Sequence, residues 1–215
     1  MRKYRSRKEK ALRRAAVIAL LIAALCATNA MNFLPRQAVR DAADSQNMGE
    51  FTVIRSFYDG KLRCYRMARQ YMVESADALL LCAVGFDPLM GWYDRDWCAV
   101  GTSDGNGLHI GYRGHQQGDA YSGYFFGRLD DEAIASVKLR WRDGESGEER
   151  WYEETVSKDG FFWGENEKRY ILWETPFEEE ETRWLWHMTA YGYDAAGKLL
   201  AEEEVHWHDW GTSDK

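Results

Sequence analysis

The sequence predicts an all-β body with antiparallel strands behind one N-terminal transmembrane helix. Three observations support this fold class. Apolar and polar residues alternate with a period of two over most of the chain after Asn47, which is typical of half-buried strands. Asp-Gly pairs, the strongest short-range hairpin signal, interrupt the alternation at Asp59-Gly60, Asp104-Gly105, Asp143-Gly144 and Asp159-Gly160. Finally, a basic segment followed by an apolar run opens the chain.

Charge divides the 215 residues into a basic head and an acidic body. Residues 1–14 hold eight of the 28 Lys and Arg and one of the 35 acidic residues, a net charge of +7. The remaining 20 basic and 34 acidic residues carry a net charge of -14, so the overall -7 describes neither part. An acidic body disfavours nucleic acid as a partner, because phosphate binding requires a basic surface.

Residues 15–27 are thirteen consecutive apolar residues, and two interpretations fit them. A secretory signal peptide has such a basic start and apolar core, with Thr28-Asn29-Ala30 as a poor cleavage site. Alternatively the apolar segment extends over residues 15–34, roughly 30 Å of helix, which matches the hydrocarbon core of a bilayer. We favour the uncleaved anchor, because the basic region is long and the cleavage signal is weak. Residues 1–14 are then a cytoplasmic tail and the body lies outside the cytoplasm, because Lys and Arg stay on the cytoplasmic side. Cleavage would make the body a secreted protein.

Residues 35–50 are expected to form a short juxtamembrane helix or stalk. Pro35 suits the first turn of a helix, and a weak apolar face follows at Ala38, Val39, Ala42 and Ala43. No Asn-x-Ser/Thr glycosylation site occurs in the chain. Together with the basic and apolar head, this favours a bacterial envelope protein.

Residues 51–113 are predicted to form a small β unit. Phe51–Phe57 is expected to pair with Lys61–Met67, and Trp97–Thr102 with Leu108–Tyr112, each pair joined by an Asp-Gly turn. Ala78–Phe86 is almost entirely apolar, which indicates a central strand buried on both faces. The Gly-rich segment 114–123 is predicted to be the seam, either a linker between two units or a long loop.

Residues 124–210 are predicted to form a second β unit. Tyr124–Leu129, residues 137–141, Arg183–Tyr193 and Ala201–Trp210 are its clearest strands. Several phrases resemble bacterial immunoglobulin-like and transthyretin-like exported domains: Tyr124-Phe-Phe-Gly-Arg-Leu-Asp-Asp131, Ser136-Val-Lys-Leu139, Lys158-Asp-Gly-Phe-Phe162 and Met188-Thr-Ala-Tyr-Gly-Tyr-Asp-Ala-Ala-Gly197. The resemblance covers about residues 124–209 and implies an antiparallel immunoglobulin-like sandwich. Its motifs concern turns and packing, so it implies fold and not function.

Three cysteines lie in the body: Cys64, Cys82 and Cys98. An extracytoplasmic location permits a disulfide, and neighbouring strands would place Cys82 opposite Cys98, or Cys64 near Cys82. We favour three buried thiols instead, because each cysteine lies within an apolar stretch.

The segment Asp87–Asp96 is unusually apolar for a turn, and Trp92, Tyr93, Asp94 and Asp96 are its candidate ligand-binding residues. One interpretation is a binding site in which carboxylates frame an aromatic patch. The favoured interpretation is a packed loop whose Asp side chains bond to turn backbone. A less favoured hypothesis is a hydrolase with Asp94, Asp96 or His109 as acid or base.

Ten Trp residues lie in the body. The face of the predicted strand on which each one lies divides them into expected core residues and candidates for exposure. The apolar positions Trp141, Trp184, Trp186 and Trp207 are expected in the core. Trp151, Trp173 and Trp210 alternate with charged or His neighbours, which makes them the candidates for an exposed aromatic platform that binds glycan.

No nucleotide-binding, hydrolase or metalloprotease motif occurs in the chain. His206 and His208 share a strand face, but a zinc site requires three or four ligands. We therefore predict no metal, no cofactor and no nucleic-acid partner. The sequence favours a non-enzymatic protein for interaction or ligand sensing at the bacterial cell envelope, with an envelope protein or a glycan as partner.

Overall fold

Alternating burial and apolar runs produce thirteen strands and two helices in the part of the chain that the structure describes. The structure is a computed structural model, and it describes residues 7–27, 32–58, 69–88, 91–103, 107–117, 120–142, 149–152, 161–163, 168–174 and 187–209. The helices are α1 (Arg7–Ala27) and α2 (Pro35–Ser45). The strands form three sheets, which are named here by their order along the chain.

The first sheet contains β1 (Thr52–Tyr58), β2 (Arg69–Glu74), β3 (Ala78–Asp87) and β4 (Gly91–Gly101), in the order β1-β2-β3-β4. The second sheet contains β5 (Leu108–Gln117), β6 (Ala120–Leu129), β9 (Phe161–Trp163), β10 (Arg169–Glu174) and β13 (His206–Asp209), in the order β13-β5-β6-β10-β9. The third sheet contains β7 (Ser136–Arg142), β8 (Glu149–Tyr152), β11 (His187–Tyr193) and β12 (Leu199–Glu204), in the order β12-β11-β7-β8. All strand pairs are antiparallel except β13 with β5, which is parallel.

The sheets stack in layers, because three apolar clusters join them face to face. Helix α2 packs on one face of the first sheet through Ala38, Val39, Ala42 and Ala43. The other face of that sheet packs on the second sheet through Met72, Leu79, Leu81, Val100, Phe126 and Tyr170. The second and third sheets enclose the remaining cluster, which includes Leu108, Ile110, Phe125, Ile171, Leu139 and Met188. The order of the layers is therefore helix, first sheet, second sheet, third sheet.

The central-strand prediction is confirmed. Leu79 to Val84 of β3 are all buried, because α2 covers one face of this strand and the second sheet covers the other. The helix predicted within residues 35–50 is also present as α2, and its apolar face is the one that the sequence indicated.

Two of the predicted hairpins are wrong. Strand β1 pairs with β2, at Arg69–Glu74, which was not its predicted partner; the predicted partner Lys61–Met67 lies outside the described residues. Strand β4 pairs with β3, and β5 pairs with β6 and β13, so the predicted pairing of Trp97–Thr102 with Leu108–Tyr112 does not form. The chain crosses from the first sheet to the second between these strands.

The Gly-rich segment 114–123, expected to be the seam, is mostly strand. Register runs from Leu108 opposite Leu129 to Gln117 opposite Ala120, so β5 and β6 form one long hairpin across it. Strand β5 of the first predicted unit is therefore an interior strand of the second sheet. The predicted strand Ala201–Trp210 also divides at Val205, where the chain leaves the third sheet and joins the second.

Helix α1 presents apolar side chains to solvent. Its exposed apolar residues are Leu12, Val17, Ile18, Leu20, Leu21 and Ile22. The expected span 15–34 is not one helix: α1 ends at Ala27, and Leu34 before Pro35 is extended, with φ -119° and ψ 140°. A residue before proline is restricted to such backbone geometry. Among the described residues, no helix is both long enough and apolar enough to cross a membrane.

Candidate functional site

A β-bulge separates the two acidic residues that the sequence placed together. Register between β3 and β4 shifts within Ala83–Val84, so that Asp96 lies opposite Ala83 and Asp94 opposite Val84, with Arg95 as the extra residue. An extra residue reverses the alternation of side chains along a strand. Asp94 and Asp96 therefore face opposite sides of the first sheet, and they do not frame one site.

On the helix side, Trp92 and Asp94 lie close to α2. Trp92 is partly buried against the cluster that α2 forms, and its backbone N–H donates to the Asn32 carbonyl at 2.7 Å. Burial raises the pKa of Asp94, and the negative charge of Asp41 on α2 raises it further. Tyr93 is partly buried and lies under the guanidinium of Arg95, at 5.8 Å. These contacts agree with the packed interpretation of the segment.

On the other side, Asp96 forms an ion pair with Arg113 of β5. Both side chains have zero solvent exposure, and the pair joins the first sheet to the second. The Arg113 guanidinium also lies over the Tyr124 ring, at 5.8 Å from its centroid. Nε and Nη2 of Arg113 have no hydrogen-bond partner among the described residues. A buried charge of this kind is tolerated only because its partner is present.

A second polar cluster joins the same two sheets, and we name it the interlayer network. Its members are Glu74, His109, Arg128, Asp130, Lys168 and Tyr170. Arg128 lies at its centre: Nη1 donates to Glu74 at 2.7 Å, while Nε and Nη2 donate to the two Asp130 oxygens at 2.7 and 2.6 Å. His109 Nε2 lies 3.1 Å from Asp130 Oδ2. Sequence reasoning missed this network, apart from His109.

The predicted acid and base candidates are thus not gathered in one place. His109 and Arg113 are four residues apart on β5, roughly 13 Å along the strand, and they bind different carboxylates, those of Asp130 and Asp96. Asp94 lies on the opposite side of the first sheet. The described residues therefore provide no shared acid and base geometry for the hydrolase hypothesis.

The interlayer network makes stability depend on pH. Burial by itself raises the pKa of Glu74, but hydrogen bonds from Arg128, Lys168 and Tyr170 outweigh it and hold this pKa below its ordinary 4.5. Arg128 and then His109 likewise hold the pKa of Asp130 below 3.8, against the effect of burial. A carboxylate with a lowered folded pKa stabilises the fold at neutral pH.

We expect the free energy of unfolding to fall as pH drops below about 4.5, through the lowered folded pKa values of Glu74 and Asp130. Urea unfolding at a series of pH values measures this slope. Glu74→Gln removes one of these two carboxyl groups. In this variant the free energy of unfolding is therefore expected to fall less steeply as the pH drops. An unchanged slope in this variant would contradict the role assigned to Glu74.

The cysteine prediction is confirmed where the structure describes it. Cys82 and Cys98 are buried thiols. Register places Cys82 opposite Trp97, and Cys98 opposite Leu81, so the two side chains lie on opposite faces of the first sheet and form no disulfide with each other. Cys64 lies outside the described residues. Burial raises the pKa of Cys82 to about 12.

We expect Cys82 and Cys98 to resist iodoacetamide at pH 8 in the folded protein, because a thiolate is the reactive form and both thiols are shielded. Peptide mass spectrometry locates the modified cysteines. Treatment in denaturant is the control, in which both residues become modified. Rapid native labelling of Cys82 would disprove its assigned environment.

The three Trp candidates for an exposed platform have different outcomes. Trp151 is 48% exposed. Trp173 is partly buried and packs on Phe125, with 5.6 Å between the ring centroids, so its predicted exposure is wrong. Trp210 lies outside the described residues. Only Trp151 among the described candidates is available to a ligand.

Trp151 belongs to a set of side chains on the outward side of the third sheet, which we name the aromatic face. Its members are Lys138, Arg140, Trp151, Tyr191 and Tyr193. The Arg140 guanidinium lies 5.6 Å from the Trp151 ring and 5.4 Å from the Tyr191 ring. Those two rings are 5.5 Å apart and inclined by 35°. Lys138 Nζ lies 5.5 Å from the Tyr193 ring.

Other features of the described residues define no site. An open depression of about 310 Å³ is lined by Glu50, Phe51, Thr52, Glu74, Ser75 and Ala76, which include no predicted site residue. The part of the chain that the structure describes contains no group of three or more His, Cys, Asp or Glu that could hold a metal ion. His206 and His208 lie on β13, beside β5.

The fold and the aromatic face define a layered β protein with a cluster of cations and aromatic rings on the third sheet, in which Trp151 is exposed, Lys138, Arg140 and Tyr193 are partly buried and Tyr191 is buried. Comparisons with models of protein families, with curated proteins and with solved structures found no match to this chain.

Proposed function

We propose that this chain is a non-enzymatic binding protein of the bacterial cell envelope, which contacts an envelope protein or glycan through the aromatic face. The observation that carries the proposal is the position of Trp151: it is 48% exposed and held by contacts with Arg140 and Tyr191. A large side chain that is already fixed loses little conformational freedom on binding, which is why such residues dominate binding energies.

The N-terminal segment supports a location outside the cytoplasm. Basic residues precede an apolar run whose side chains are exposed on α1. Such a segment attaches a protein to the membrane as a single-pass anchor with a cytoplasmic N-terminus, or directs its secretion as a cleaved signal peptide.

Binding is favoured over hydrolysis by the state of the candidate catalytic groups. Asp96 and His109 are both buried, and each is paired with a charged residue, Arg113 and Asp130 respectively. A catalytic acid or base must reach the substrate. The carboxylate of Asp96 instead joins the first sheet to the second, and the imidazole of His109 pairs with Asp130, just after β6.

The test is affinity capture from detergent-solubilised envelope extract with the full 215-residue chain as bait. The wild-type chain is expected to retain a specific protein or glycan that the Trp151→Ala chain loses. Tyr58→Ala is the matched control, because Tyr58 is also exposed, at 59%, but lies on the first sheet. Equal retention by the wild-type and Trp151→Ala chains would overturn the proposal.

A further inference from the structure

The geometry of the aromatic face points to a specific class of ligand: we infer that this face binds a neutral glycan chain. The inference rests on the proposed function and names its ligand. It follows from three properties of the face, namely its fixed stacking ring, its balance of charges and its open shape.

The stacking ring is Trp151. It lies opposite Arg140 in the register of β7 and β8, and the Arg140 side chain contacts it from that neighbouring strand. Tyr191 of β11 supports the indole from the next strand along. An indole ring is flat and apolar, and the C–H face of a pyranose ring is complementary to such a surface. The half of Trp151 that is exposed is therefore the part of the face on which a sugar ring can stack.

Charges of both signs surround the ring. Lys138 and Arg140 supply two cations, while Glu149 lies 3.9 Å from Arg140. On β12, the exposed Glu202 lies opposite Tyr191 and the exposed Glu204 lies opposite Thr189. The described charges therefore do not favour a polyanion, because three carboxylates offset two cations. They suit a neutral, polyhydroxylated ligand, whose hydroxyl groups both donate to carboxylates and accept from cations.

The shape of the face favours a chain over a single sugar. Small-molecule sites are concave and enclose most of the ligand, whereas the aromatic face is one side of a sheet. From Trp151 on β8 to Tyr193 on β11, the face spans two strand spacings and four residues of β7, roughly 15–20 Å. A ligand of several sugar rings can contact Trp151 and Tyr193 together.

Calorimetric titration of the full chain with cellohexaose and with chitohexaose tests this inference, and a hyaluronan hexasaccharide serves as the anionic comparison. At least one neutral hexasaccharide is expected to bind, more tightly than hyaluronan and with little dependence on salt. Trp151→Ala is expected to weaken this binding by about tenfold, Trp151→Phe by less, and Tyr58→Ala not at all.

Binding of neither neutral hexasaccharide, tighter binding of hyaluronan, or unchanged affinity in Trp151→Ala would each overturn the inference. Circular dichroism of Trp151→Ala confirms that the variant is folded. If the neutral hexasaccharides fail but envelope capture still depends on Trp151, the ligand class is wrong and the proposed function stands. If the Trp151→Ala chain also captures the same envelope material as the wild-type chain, both the ligand class and the proposed function are wrong.

Discussion

Replacing Asp96 with leucine is expected to lower the free energy of unfolding by about 3–5 kcal/mol. Asp96 and Arg113 form an ion pair with zero exposure between the first and second sheets. Without the carboxylate, the Arg113 guanidinium remains in the interior and loses its ion-pair partner. Its Nε and Nη2 atoms already have no hydrogen-bond partner among the described residues. Urea unfolding followed by Trp fluorescence measures the loss.

The double variant Asp96→Leu/Arg113→Met separates an unpaired charge from general damage to packing. A buried pair replaced by apolar residues of similar volume is often neutral or more stable, so the double variant is expected to recover most of the loss. Glu132→Leu, at an exposed acid, is the control and should change stability by less than about 0.5 kcal/mol. A double variant as unstable as Asp96→Leu would contradict this account.

Gly127→Ala is expected to destabilise the second sheet by about 1–3 kcal/mol or more. Gly127 lies on β6 opposite Ile110 of β5. A Cβ atom added there would stand 2.3 Å from the carbonyl oxygen of His109 and 3.2 Å from the Ile110 Cα. Because both contacts are with backbone, relief requires a shift of the strand pair itself. Thermal unfolding monitored by circular dichroism gives the size of the effect.

Gly101→Ala is the matched control for this substitution. Gly101 ends β4, and an added Cβ would meet nothing within 4 Å. Its alanine variant is expected to be as stable as the wild-type chain or slightly more stable, because alanine restricts the unfolded chain. Equal melting temperatures for both alanine variants would contradict the close packing of β6 against the β5 backbone at Gly127.

Local patterns predicted individual elements well and their partners poorly. The apolar run of β3 and the apolar face of α2 are visible in sequence, because burial determines residue type directly. The pairing of β4 with β5 failed because a turn signal shows only that the chain reverses. It does not show whether the next strand pairs beside the last one or crosses to another layer, as β5 does.

Two further effects limited how well the candidate site could be predicted from the sequence. Period-two alternation assigns Asp94 and Asp96 to the same face, and the single extra residue Arg95 reverses this assignment. The interlayer network joins residues as far apart as Glu74 and Tyr170, 96 positions along the chain, so no spacing motif encodes it. His109 and Arg128 alternate with apolar or glycine neighbours and thus resemble ordinary exposed positions.

Trp151 and Trp173 show why parity alone cannot assign exposure. Each has a charged neighbour, Arg150 beside Trp151 and Glu174 beside Trp173. Trp151 nevertheless lies on the third sheet, whose outward side has no further described layer. Trp173 lies on the second sheet, which is covered on both faces. The number of layers, which the sequence does not reveal, decides which Trp residue can reach a ligand.

Hydrogen–deuterium exchange of the full chain, with and without isolated envelope glycan, tests the central claim most directly. The claim is that ligand binds on the aromatic face. Peptides that contain β7, β8 and β11 are expected to exchange more slowly when glycan is present, and no such change is expected in the Trp151→Ala chain. Protection confined to the first sheet, or protection of the third sheet that persists in Trp151→Ala, would contradict it.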